Sequence, residues 1–269
     1  MARYRYLFAV LLLIAGGLLL YGRLPASESS KEDVSGLLAQ IEKQSGTSIL
    51  IGDPAAMKVG GSQQSVASLL PGVSLEPVSR DHLQPTLEGI AKSLSLYPDH
   101  LFARLCPAII LASHIKFDGV DGGGTDGPNF IVLVSNADYD QKTNFDTARL
   151  GVHHEFSSII WQRQPTIAMR WGLLMPPGWQ PDPTAAAAIG QYGKSDPAPE
   201  TGILTAYGAT STENDFNTYA ETTVSDPERM RKLAAATPIV ATKLSLLMEA
   251  YIATDPGFRV MFEKLGYKT

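Results

Sequence analysis

One cysteine, Cys106, stands in a chain of 269 residues. A single thiol excludes an internal disulfide framework, and its distance from the N-terminus leaves no cysteine to carry a lipid at the end of a signal segment. A basic excess is also missing. Lys and Arg number 22 against 27 Asp and Glu, a formal net charge of -5, which argues against a nucleic-acid partner. Charge as a whole is sparse, at 18% of residues, while 44% are hydrophobic. That balance argues against disorder and for one globular domain with a sizeable core. After residue 21 no apolar run is long enough to span a membrane.

The longest apolar run opens the chain, short of the ~20 residues of a comfortable span. "MARYRYLFAVLLLIAGGLLLYGR" sets Arg3 and Arg5 before an uncharged stretch from Tyr6 to Tyr21, closed by Arg23. Residues 1–23 are expected to be an export signal or, preferably, an uncleaved membrane anchor, with the remaining chain periplasmic or extracellular. "LPAS" provides no good cleavage pattern. Small polar residues over 24–31 suit a linker, and residues 32–269 form the domain.

Within it, "EDVSGLLAQIEKQSG" has helical apolar spacing and a glycine stop, and "SILIGD" reads as a short strand. Residues 82–96 repeat the helical pattern, whereas "PAIILASHIKF" and "NFIVLVSN" are strands rich in branched residues. Between them lies "DGVDGGGTDGP". No Lys and no helix follow these glycines directly, as a phosphate loop requires, and the spacing of Asp118, Asp121 and Asp126 matches no EF-hand. Gly and Asp favour turns, so a hairpin connection is expected there, with no site.

The segment 144–164 contains "LGVHHEFSSIIWQ". Val152, Phe156, Ile159 and Ile160 form one helical stripe, and Leu150, His154, Ser158 and Trp161 a second. Such a helix is expected to be buried, so His153, His154 and Glu155 need partners. Hydrogen-bonded core residues are one explanation. Zinc is the other: His154 as a ligand, and Glu155 as the base for a metal-bound water. Ser157 and Ser158 have no G-x-S-x-G elbow around them, which disfavours a serine hydrolase.

"HHEFSSIIWQRQ" is followed by "RWGLLMPPGWQPDP" and then by "GILTAYGATSTENDFNTYAETTVSDPERM". In this order the segments resemble zinc-binding metallopeptidases of the gluzincin type, in outline like the anthrax lethal factor peptidase domain. The resemblance runs from about residue 130 to the C-terminus. It implies zinc held by His154 and by Asp215 before Phe216 on a later helix. Glu155 is then the catalytic base, Tyr207 an oxyanion donor, and a peptide or protein the substrate. Glu221 is the weaker candidate for the acidic ligand, and Thr210 with Glu213 fits a capping box. Ser225 with Glu228 repeats that pattern, and Pro238 opens a further helix.

Two positions depart from the family pattern. Ser158 stands where the second histidine belongs, and His153 projects about 100° away from His154. Asp215 is one methylene shorter than the usual Glu. Two functions therefore stay open: a tethered or exported peptidase, or an inactive domain of that fold holding a peptide or protein. The expected fold is α+β, a small mixed sheet packed on the HEFSS helix, then a mainly helical C-terminal part. Both readings require His154 and Asp215 to converge on one cavity beside Glu155.

Overall fold

The computed structural model describes residues 28–269 apart from Gly60, Asp99, Tyr192, Gly193, Ser195 and Ala198. The expected anchor of residues 1–23 lies outside the described residues. Among those described, no helix is long and apolar enough to cross a membrane. The first helix, α1 (Glu28–Ser45), begins inside the stretch expected to be linker and ends at Gly46, whose φ of 74° suits a residue without a Cβ.

Six strands form one mixed sheet: β1 (Ser48–Leu50), β2 (Val73–Pro77), β3 (Ala108–Phe117), β4 (Val120–Gly122), β5 (Gly124–Asp126) and β6 (Phe130–Val134). The ten-residue β3 is its spine. The N-terminal half of β3 pairs in parallel with β1 and β6, and its C-terminal half pairs antiparallel with β2 and β4. β6 and the first five residues of β3 are buried on both faces, which is why those stretches run apolar without alternation. Ile109, Leu111, Ile131 and Leu133 face the helical layer, whereas Ile110, Val132 and Val134 face a smaller cluster with Val66 of α2 (Val66–Leu69).

The helical layer holds α3 (Gln84–Leu94), α4 (Leu101–Leu105) and the 23-residue α5 (Gln141–Arg163), which carries the HEFSS stretch. Asp140 caps α5, its carboxylate accepting the Thr143 N–H at 2.6 Å. α3 meets α5 at Gly89, where a Cβ would stand 2.4 Å from the Phe145 carbonyl oxygen. Only glycine permits that approach. Phe156 packs beneath, fully buried and stacked on Phe102 at 4.3 Å between ring centroids. Truncating it to alanine should cost about 3–5 kcal/mol.

The C-terminal part is helical as expected: α6 (Pro165–Gly172), α7 (Ala185–Ile189), α8 (Thr212–Ser225), α9 (Pro227–Ala236), α10 (Pro238–Thr254) and α11 (Phe258–Lys264). Pro238 does open α10. The caps differ from those expected. Ser211 caps α8 by accepting the Asn214 N–H, and Asp226 caps α9 by accepting the Arg229 N–H, each displaced by one residue from the sequence pattern. The displacement frees Glu213 from any capping role.

Candidate functional site: an acidic cleft between α5 and α8

A cavity of about 510 Å³ opens between β5, α5, α7 and α8. Thr143, Thr147, Leu150, His154, Glu155 and Ser158 give α5 a stripe along its floor, recurring every three or four residues. Of the two stripes expected to be buried, Val152–Phe156–Ile159–Ile160 enters the core, and Leu150–His154–Ser158, with His154 and Ser158 buried, lines the cavity. Glu213, Asn217 and Glu221, four residues apart on α8, form the opposite wall.

His154 lies at the centre of the cleft. Its Nδ1 is 3.4 Å from Glu221 Oε2, and its ring lies 5.6 Å from that of Tyr207 between centroids. Burial alone would depress the imidazole, but the Glu221, Glu155 and Glu213 carboxylates outweigh it, so its pKa moves upward. Trp179 donates its indole N–H to the Ala209 carbonyl at 2.6 Å, so the Trp-Pro-Gly connector buttresses the turn that follows Tyr207.

Glu155 rests against β5. A Cβ on Gly124 would stand 2.5 Å from Glu155 Oε1, so glycine is what leaves room for the carboxylate. Burial pushes that carboxyl up to about 8, His154 opposing and Asp126, Glu213 and Glu221 adding to the shift. Asp126, on β5, is pushed up to about 7, first by burial and then by Glu213, although Gln162 donates to it at 2.7 Å. Burial raises Glu213 as well, against the hydrogen bond from Ser158 and the charge of His154.

Ser158 is held by Asn217. The Asn217 amide donates to Ser158 Oγ at 2.8 Å and accepts from Ser157 Oγ at 2.5 Å, bridging both serines of the motif across the helix pair. Ser157 also donates to the His154 carbonyl at 2.7 Å. His153 takes no part in the cleft. It is fully buried on the far side of α5, where its Nδ1 and the Tyr97 hydroxyl share a hydrogen bond of 2.9 Å.

Of the four site residues expected from sequence, the structure brings together His154, Glu155 and Tyr207, and not Asp215. This corrects the expected meeting of residues 154 and 215. Asp215 points away from the cleft into the core between α8 and α10, where it is completely enclosed. There it accepts from Lys243 Nζ at 2.6 Å and from the Trp171 indole at 2.8 Å. Burial raises its carboxyl to about 6, opposed by Lys243 and Trp171, and the same burial lowers the Lys243 ammonium, opposed by Asp215. The physical reason is helix register: residues 213, 217 and 221 share a face, and 215 lies about 200° round from 213. Glu221, the weaker candidate by sequence, is the acidic neighbour of His154.

Zinc can be tested against these donors. The 3.4 Å between His154 and Glu221 is about the ligand spacing of a tetrahedral zinc with bonds near 2.0–2.1 Å. A catalytic zinc takes three protein ligands, however, and the third position is Ser158, a hydroxyl already engaged by Asn217. Among the described residues no three His, Cys, Asp or Glu side chains are grouped to hold a metal ion. The donor set does not fit a zinc centre.

The sheet edge completes the cleft. Paired contacts at Gly123–Val134 and Gly127–Phe130 set the phase of the β5–β6 ladder, which places Thr125–Val132 between them. By alternation the backbone N–H and C=O groups of Gly124 and Asp126 point away from β6, toward the open edge. The glycine-rich segment expected to be a bare connection thus supplies a cavity wall. No protein-family model matches the chain, and no curated protein or solved structure matches it either.

Proposed function

We propose that the chain is a peptide-binding module, in which an extended segment adds to the β5 edge and lodges a side chain between α5 and α8. The observation that carries this reading is the open backbone of Gly124 and Asp126 beside a cavity of about 510 Å³. Strand addition gives affinity through main-chain hydrogen bonds, and a neighbouring pocket gives selectivity. The bridge from Asn217 to both serines supports a binding role over hydrolysis, because it ties up the position a third ligand would need. With the N-terminal segment as anchor, the module is displayed outside the membrane.

A hydrolytic reading keeps one observation in its favour, the zinc-like spacing of His154 and Glu221. Two measurements on the full chain, purified without chelator, separate the readings. Zinc per chain is expected to lie far below one, and a blocked extended peptide should bind uncleaved. One zinc per chain, lost in His154→Ala and accompanied by cleavage, would overturn the proposal in favour of a peptidase.

A further inference from the structure

We infer that the segment received by the cleft presents a lysine or arginine, whose cationic head enters the cavity among the α5 and α8 carboxylates. This rests on the peptide-binding reading and names its ligand class. The first ground is charge. Asp121, Asp126, Glu155, Glu213 and Glu221 line the cavity, and among the described residues no Lys or Arg does; His154 is the sole basic side chain. Buried acidic groups elsewhere in this protein have a cation, as Asp215 has Lys243. Those of the cleft have imidazoles alone: His154 beside Glu221, and His114, from outside the cavity, 2.9 Å from the half-exposed Asp121.

The second ground is the state of individual carboxylates. Glu155 accepts no hydrogen bond from the described residues, although it is largely enclosed and packed on Gly124. Clustered, desolvated acids that outnumber the one imidazole among them are costly, and a bound cation offsets both desolvation and mutual repulsion. A long aliphatic stem suits the remaining wall, because Phe117, Leu150 and Ile189 stand beside the acids. The third ground is position: Asp126 lies on β5 itself, so a side chain leaving an added strand starts next to the acidic end of the cavity.

The experiment uses the full chain and three end-blocked, fluorescein-labelled octapeptides that differ only at a central arginine, norleucine or glutamate, followed by fluorescence anisotropy at low ionic strength. The arginine peptide should bind at least about tenfold more tightly than the norleucine peptide, and the glutamate peptide should not bind. Equal binding of arginine and norleucine overturns the inference and leaves peptide binding standing. No binding by any of the three overturns both. Arginine amide competing as strongly as the peptide would place recognition in a small amine and overturn the strand-borne form. Glu213→Gln with Glu221→Gln preserves shape and should reduce the arginine preference to the norleucine level. An undiminished preference in that folded variant would also overturn the inference.

Discussion

Lys243 and Asp215 form an ion pair at 2.6 Å with neither side chain exposed to solvent. The ammonium also donates to the Gly202 carbonyl at 2.8 Å and lies over the rings of Trp171 and Tyr219. Removing one partner leaves the other buried without its ion-pair partner. Asp215→Asn and Lys243→Met should each destabilise the fold by about 3–5 kcal/mol, and Asp215→Leu combined with Lys243→Met should cost far less than the sum. Urea unfolding of the four proteins checks this; additive losses would show that the two residues act independently.

Ser158→His tests the register of α5 against Glu221. Positions 154 and 158 share a helical face, so a histidine at 158 adds the donor that His154 and Glu221 lack. Asn217 occupies the space, so Ser158→His with Asn217→Ala should gain zinc affinity by orders of magnitude over the parent, read by competition with a chelating dye. An unchanged affinity would mean that 154, 158 and 221 do not face a common centre.

His153 governs acid stability. Burial, then the nearby Arg149 charge, pushes its imidazole down to about 3, so it stays neutral in the fold while the unfolded chain takes up a proton below about 6.5. The unfolded state then binds more protons, and stability falls by about 1.4 kcal/mol per pH unit between those values as pH drops. Asp126 and Glu155, raised in the fold, have the opposite slope over part of this range. The clean measurement is therefore the difference between the parent and His153→Gln, whose lower but flatter profile should lack the His153 slope. Parallel profiles would refute the assignment.

Ligand binding should depend on pH with a defined sign. In the free cleft the Asp126 and Glu155 carboxyls, at about 7 and about 8, hold protons near neutrality, and His154 is shifted toward its charged form. A bound cation draws the carboxyls back toward ordinary values and expels those protons. Affinity for the arginine peptide should therefore rise roughly tenfold from about pH 6 to about 8.5. A flat or falling profile would contradict a cation among these groups.

Gly124→Ala should weaken peptide binding severalfold with little loss of stability. The added methyl would collide with Glu155 Oε1 at 2.5 Å, and that carboxylate has a flexible stem on which to swing away. Unchanged affinity would show that the Glu155 position is irrelevant to the ligand.

Much of the scaffold is legible in the sequence. The apolar runs of β3 and β6, the two-stripe pattern of α5 and the proline opening α10 each follow from local rules of burial and backbone conformation. Tyr207 was placed beside His154 by resemblance alone. Asp215 was misplaced because motif order does not specify helix register. The spacing of Glu213, Asn217 and Glu221 contained the answer, and Lys243 inside the apolar "PIVATKLSLLMEA" signalled that a buried acid had to be found for it. β5 escaped notice because Gly124–Asp126 has weak strand propensity of its own and is extended only through its ladder with β6.

Cys106 has no exposed surface, and burial raises its thiol far above the range in which thiolate forms. Alkylating dyes and spin labels should therefore pass over the native chain, so a cysteine introduced at Leu173, which is 82% exposed, would be its single point of attachment for following the cleft as it fills.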